Sequence, residues 1–434
     1  MSYAKKGLDN IVIVYDFLTI YLGGHTMDLS NLRENHEKLL SYMRENGYSK
    51  TYIQKFRTEI NWIFENEAKC TWTSYSDIYY EYKNNAPSKD NLRNKGTIIG
   101  AIEQFDLYDQ LPDGRRRHIL YERGSYPHLE LEFKELIDFF NKYELERGKK
   151  PSTIKGESLN TASFLYEMQL QGCNSLERIT EDAVLSFFVS ETGELIKSCS
   201  YKKNISAVFK AGLAWREDEC SKILSYLPIL RENRKNIQYL TSEEVQRVRE
   251  VVNNGELSHR NKAIILLLLN TGLRGCDIAA LTLKSIDWKN DKILLFQQKT
   301  DAPLELPLMA VVGNAIFDYL SIERPGIDSH YLFLSETKPY FALASGSVGS
   351  IVTKVLKIAG VRQNHNDRKG THIFRHNLAS TMLQNGVPTP IITHTLGHTA
   401  PGSLEPYLRA DFVHLKECAI SIEEFPLPRE VLGI

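Results

Sequence analysis

Apolar residues recur at three- and four-residue spacing through most of the first 215 positions, a period that predicts helices. The expected helices are Leu29–Glu45, Ser49–Asn66, Ser74–Tyr82 and Asn91–Phe105. Gly47, the Ala86-Pro87-Ser88 turn and the Leu111-Pro112-Asp113-Gly114 turn punctuate them. A second set follows the same outline: Leu129–Glu146, a break at Gly148–Pro151, Ser152 to about Leu170, Glu181–Thr192 and Cys199–Trp215. The two sets overlay at an offset of roughly 100–110 residues, inside the usual domain size. An internal duplication and a coincidence between two helical domains both stay open.

Beyond residue 237 the pattern changes. Thr241 and Glu244 have capping-box spacing, followed by Val245, Val248, Val251 and Val252 at helical period. Ala263–Leu269 is an unbroken apolar run, so the helix Asn261–Asn270 is expected to be buried nearly all round. Thr271-Gly272 ends it, and the next helix is expected to begin around Leu273. Trp288–Gln298 and Leu304–Leu308 read as strands of a hairpin, with Lys299 near its tip. Helices are expected at Gly313–Glu323, Ser345–Ala359, His372–Asn385 and Thr389–Leu396. The fold class is mainly α with a small antiparallel β-sheet in the last domain.

A chain of 434 residues divides into two or three domains, because single cores stop growing near 250–300 residues. Its charged share of 25% is that of an ordinary globular protein. The net charge of −1 does not announce a nucleic-acid binder, but DNA is held by local basic surfaces and not by the overall balance. Cysteines 70, 173, 199, 220, 276 and 418 are scattered without a CxxC pair, which fits a reducing compartment and no zinc ribbon. The apolar stretch Ile11–Leu22 is too short to span a bilayer and carries Asp16, so it reads as an element packed on a core. No membrane is expected, and a cytoplasmic location is.

Candidate chemistry gathers late in the chain. His372 and Arg375 stand one helical turn apart on one face. Gly397-His398 follows, and Tyr407 comes nine residues after His398. Upstream, Thr271-Gly-Leu-Arg274-Gly-Cys-Asp277 holds another arginine, and Gln298-Lys299-Thr300 a lysine. This ordered set closely resembles the tyrosine recombinase (phage integrase) family over roughly the last two hundred residues.

The resemblance implies DNA strand cleavage and rejoining without metal or ATP, with Tyr407 as nucleophile and a 3′-phosphotyrosine intermediate. Arg274 and Arg375 suit charge cancellation on a phosphorane-like transition state, since each guanidinium can donate a fork of hydrogen bonds and stays charged. Asp277, three residues after Arg274, is placed to orient it. His372 and His398 suit hydrogen bonding to the phosphate and proton transfer, and Lys299 matches the family's general acid for the 5′-hydroxyl. His376 and His394 match no role and read as structural. Pro406 is less usual for the family; if Ser403 caps a helix, Pro406 falls in its first turn, where proline is tolerated.

The resemblance also implies a layout. Residues 126–228 take the place of a helical core-binding DNA domain, 229–237 of a linker along the duplex, and 238–434 of the catalytic domain. Arg231, Arg234 and Lys235 of the linker are then available to phosphates. The basic turn Arg115–His118 is either a phosphate contact or a solvated loop. Residues 1–125 form an extension for accessory DNA or a neighbouring protomer. The expected partners are specific double-stranded DNA sites and a homo-tetramer, and the expected biology is integration, excision or transposition of a mobile element. After Tyr407, Phe412, Leu415, Ala419 and Ile422 form an apolar stripe that either folds back or docks on a neighbouring protomer.

Two other readings remain. His372/His376 and His394/His398 are i,i+4 pairs, the spacing of helical metal ligands, so a zinc hydrolase is an alternative. Neither pair has the HExxH glutamate, and Arg375 inside the first would repel a cation. A catalytically inactive DNA-binding relative is the other.

Overall fold

In the computed structural model the described residues are Met27, 29–69, 72–85, 88–113, 124–230, 238–365, 367–397 and 404–408. The chain divides into two compact units, Met1–Arg234 and Lys235–Ile434. The stretch Ile11–Leu22, the turn Arg115–His118, residues Arg231, Arg234 and Lys235, and the stripe after Tyr407 lie outside the described residues.

The first unit holds two separate hydrophobic clusters. The earlier one is formed by α1 (Ser30–Glu45), α2 (Lys50–Asn66), α3 (Tyr75–Asn85) and α4 (Lys89–Tyr108). Its start is secured from a distance. Leu29, before α1, is left-handed and supplies no side-chain cap. The buried Asp106 of α4 takes that place, accepting from Leu32 N at 2.7 Å and from the Tyr75 hydroxyl at 2.9 Å.

The later cluster comprises α5 (Leu131–Glu146), α6 (Pro151–Leu170), α7 (Glu181–Phe188), α8 (Cys199–Gly212) and α9 (Glu217–Tyr226). Pro151 occupies the first position of α6, where its missing N–H costs nothing. Two expected helices end early. The chain leaves α7 at Phe188 because Val189 bridges back to Leu195, and α8 stops at Gly212. The short α9 was not announced by the apolar pattern. Its first turn, Glu217-Asp218-Glu219, is acidic and favoured by the helix dipole, and Cys220 and Ile223 are its buried residues.

The second unit is organised around α11 (His259–Thr271), whose residues 263–269 are all buried. Against it pack α13 (Ala310–Asp318), α14 (Ser345–Ile358) and α15 (His372–Gln384). Before it, α10 (Ser242–Asn253) begins with the expected reciprocal capping box of Thr241 and Glu244. The short α12 (Gly275–Ala279) starts two residues later than expected, with Arg274 extended at its N-cap. The expected strand Trp288–Gln298 is shorter, β2 (Lys292–Phe296); an unexpected two-residue β1 (Ile286–Asp287) precedes it, and β3 (Pro303–Pro307) completes an antiparallel sheet in the order β1-β2-β3. Asp287 delays the start of β2: its carboxylate accepts from Lys289 N and Asn290 N, both at 3.1 Å, and turns the chain. The expected helix Gly313–Glu323 proves to be the end of α13 followed by a π-helical turn, Tyr319–Glu323.

A second small cluster joins α15 to α16 (Thr389–Leu396) and α17 (Glu405–Leu408). Helix α15 serves both clusters: Ile373 and Phe374 face the main core, and Ala379 and Leu383 face the small one. It is thereby held on two sides, which fixes the side chains of its first turn. Among the described residues no helix is long and apolar enough to cross a membrane.

Candidate active site

The first turn of α15 carries His372, Arg375 and His376. Arg375 is only 3% exposed. Its guanidinium donates to the Gly272 carbonyl at 3.1 Å and to the Leu396 carbonyl. Those carbonyls belong to the ends of α11 and α16, where helix carbonyls lack partners and carry partial negative charge. The arginine is thus clamped between two helix termini 103 and 21 residues away. Gly272 has φ +59, and a Cβ there would stand 3.0 Å from Leu378 Cδ2.

Arg274 sits beside it. Its Nη1 is buried and has no hydrogen-bond partner among the described residues. The nearest carboxylate oxygen, Asp277 Oδ2, is 3.8 Å away, an ion pair without a hydrogen bond. The other Asp277 oxygen accepts from Gln298 N at 2.8 Å. Asp277 thus holds both Arg274 and the end of β2, two elements where sequence spacing had pointed to one. The pocket is cationic. Burial, then the nearby Arg274, lower the Arg375 guanidinium to about 10, still charged at neutral pH. Burial and, after it, Arg368, Arg375, Arg274 and Lys299 push His372 below its ordinary value.

Lys299 is exposed in the β2–β3 loop. It is near enough to act electrostatically on His372, and its loop is pinned. The fully buried Gln297 donates from Nε2 to the Leu396 carbonyl at 3.3 Å and accepts from Thr300 Oγ1 at 2.8 Å. Gly397 gives Gln297 its space: φ there is +61, and a Cβ would stand 2.3 Å from Gln297 Nε2. The glycine before His398 is required by this contact.

Tyr407 lies in α17, 5% exposed, its ring within the small cluster of Ala379, Leu383, Ile392, Leu396 and Leu404. Its hydroxyl is hydrogen-bonded to His376 Nδ1 at 2.8 Å. Burial raises the phenol above its ordinary value, while Arg375, Arg368 and Arg274 pull it down. These arginines thus act on Tyr407 within one chain. His398 lies outside the described residues.

Sequence reasoning missed His376 and Gln297. The signal for His376 lies in its place as the i,i+4 partner of His372, a spacing that reads either as metal-ligand spacing or as a structural histidine. The two rings lie 6.2 Å apart, and His376 Nδ1 is turned to Tyr407. Among the described residues no group of three or more His, Cys, Asp or Glu side chains could hold a metal. The zinc reading gains no support, and the paired guanidiniums would repel a cation. A buried, cationic pocket with an unpartnered guanidinium nitrogen suits an anion with several acceptor oxygens.

A sequence profile described as the phage integrase family matches residues 238–414. The putative integrase/recombinase y4gC of Sinorhizobium fredii is 37% identical over 163 residues, spanning 38% of this chain and 83% of that protein. The tyrosine recombinase XerC of Thermodesulfovibrio yellowstonii is 25% identical over 322 residues, 72% of this chain and 95% of that one. The fold is similar to that of a XerH site-specific recombinase solved with its difH substrate after cleavage, with a TM-score of 0.52, 18% identity, and coverage of 79% of this chain and 94% of that chain. The chain belongs to the phage integrase family of tyrosine recombinases, enzymes of site-specific DNA recombination.

Proposed function

We propose that this chain cuts and rejoins DNA through a 3′-phosphotyrosine at Tyr407, acting in cis with Arg274, Lys299, His372 and Arg375. The observation that carries the reading is the electrostatic pull of Arg375 and Arg274 on the buried Tyr407 hydroxyl, with the buried Nη1 of Arg274 left as an unpartnered donor among the described residues. A phosphodiester entering this pocket gives both guanidiniums an anion with several acceptor oxygens, and charge growing on its non-bridging oxygens strengthens those bonds in the transition state. Lys299 protonates the departing 5′-oxygen. His372, held below its ordinary value by burial and then by its cationic neighbours, and His398, from its place in the sequence, bond the phosphate. Asp277 positions Arg274. The ester energy stays in the covalent link, so resealing needs no nucleotide.

The test uses a nicked duplex bearing the site that the wild-type protein selects from a random-sequence duplex library. With EDTA present and no ATP, the reading expects a covalent adduct whose labelled peptide contains Tyr407. Adduct at another residue, or cleavage that stops in EDTA, overturns it.

A basic groove lies on the segment that leads into α15. It has a volume of about 600 Å³ and is lined by α14 and the segment before α15, with Lys354, Lys357 and Lys369 on its rim. Gly346, Gly349 and Ser350 are among its lining residues and add little side-chain bulk. Lys369 lies three residues before His372, so a strand held here leads its phosphate toward the arginines. Replacing the three lysines by alanine is expected to weaken binding alike on all sequences. The slope of log K against log salt should become shallower by about 0.9 for each phosphate no longer neutralised. An unchanged slope in filter-binding titrations removes the groove from the interface.

The remaining assignments follow the family layout: 126–228 as core-binding domain, Arg231, Arg234 and Lys235 of the linker on phosphates, and 1–125 as an accessory domain. A cytoplasmic homo-tetramer serving integration, excision or transposition of a mobile element completes the reading. The integrase/recombinase name of the Sinorhizobium relative favours that biology.

A further inference from the structure

We propose that His376 is the group that takes the proton from Tyr407 as the phenol attacks phosphorus. The inference rests on the reading of Tyr407 as nucleophile and goes beyond it, because it assigns a proton path to a histidine outside the expected set.

The geometry is specific. Tyr407 arrives from α17 and His376 from the first turn of α15, and the two meet in a 2.8 Å hydrogen bond between Oη and Nδ1. Their rings stand 5.3 Å apart, inclined by 51°. Both side chains are buried, and the rest of the small cluster around the tyrosine ring is apolar. Contact between a base and the reacting oxygen is the first requirement of proton transfer, and it is met before DNA arrives.

The chemistry requires such a group. A buried phenol is protonated at neutral pH. When its oxygen bonds to phosphorus, it becomes an ester oxygen and the proton must leave. In the proposed step the Oη–H bond breaks and an N–H bond forms at Nδ1, giving an imidazolium. The O–P bond forms as the P–O5′ bond breaks, and the 5′-oxygen takes its proton from Lys299. Rejoining runs the same path backward, with His376 returning the proton to Tyr407. The Nδ1 atom can accept when the ring proton sits on Nε2.

The surroundings tie this transfer to the substrate. Among the described residues, Arg375, Arg368 and Arg274, all cationic, act on the Tyr407 hydroxyl, and His372 stands one turn before His376 on the same helix. A new imidazolium beside them is disfavoured by like-charge repulsion. A bound phosphate brings the compensating negative charge. The phenol therefore keeps its proton off DNA and gives it up when a phosphate occupies the pocket.

The test separates holding the hydroxyl from accepting its proton. In His376→Asn the amide can still hydrogen-bond near the Nδ1 position but takes up no proton. Adduct formation is followed in single turnover with the full-length protein on the selected nicked duplex. H376N is expected to bind and melt like the wild type and to lose about 10²- to 10⁴-fold in rate. Its rate should climb steadily with pH, because hydroxide must remove the proton, whereas the wild-type rate levels off. H376N cleaving at the wild-type rate with the wild-type pH profile overturns the inference. If H376N does not fold, the wild-type profile decides: a rate still rising tenfold per pH unit above pH 8 overturns it, and a plateau supports it. Tyr407→Phe run in parallel separates two failures. Adduct in that variant rejects Tyr407 itself, whereas no adduct there together with a fully active H376N rejects His376 alone.

Discussion

Tyr407→Phe leaves DNA binding intact and removes the covalent protein–DNA adduct. The substitution deletes one oxygen. The ring keeps its seat among Ala379, Leu383, Ile392, Leu396 and Leu404, so the small cluster that anchors α17 stays packed. The lost hydrogen bond leaves His376 Nδ1 without its tyrosine partner in a buried place, which costs about 1–3 kcal/mol. The variant should therefore melt a few degrees lower yet stay folded. The arginines and the basic groove are untouched, so affinity for the selected duplex should match the wild type. Denaturing gels of the nicked-duplex reaction should show no adduct, because the attacking oxygen is gone. Adduct in this variant would falsify the assignment of Tyr407.

The second large effect is expected at the arginine pair, and the two members should differ in kind. Lysine keeps one positive charge but loses the planar fork. Arg274→Lys and Arg375→Lys should each slow strand cleavage by about 10²- to 10³-fold, the usual loss for one oxyanion donor. Their stabilities should diverge. Arg375 bonds the Gly272 and Leu396 carbonyls and clamps two helix ends, so R375K loosens the frame and lowers the melting temperature. Among the described residues Arg274 makes a 3.8 Å ion pair with Asp277, and its Nη1 is unpartnered, so R274K should melt close to the wild type. Single-turnover rates and thermal melts on both variants check this. An R274K protein that cleaves at the wild-type rate removes Arg274 from the phosphate pocket.

The contrast between these arginines shows how far the sequence could be read. Both stand inside recognisable motifs, and both were expected at the phosphate. Nothing local distinguishes them, since their different burdens come from carbonyls at positions 272 and 396. Lys299 is a similar case. Its place in a hairpin loop was legible from the strand pattern on either side. Its nearness to His372 depends on Gln297, a buried polar residue whose partner is 99 positions away.

Local patterns by themselves determined a good part of this protein. Helical periodicity placed α11, α15 and α16 almost to the residue, because burial on one or both faces leaves an imprint at 3.6-residue spacing. Capping chemistry marked the start of α10, where Thr241 and Glu244 are near neighbours in the chain. The ordered motifs placed Arg274, Lys299, His372, Arg375 and Tyr407 in one family. Tertiary structure alone decided the rest. It shortened the expected strand through the turn at Asp287, added α9, buried Arg375 between two helix termini, and turned His376 from a residue without a role into the partner of Tyr407. Each of these depends on contacts between distant positions, or on competition between local structures of similar energy. A one-dimensional pattern records that a residue is buried or polar, but the identity of the group it meets is set only when the helices pack.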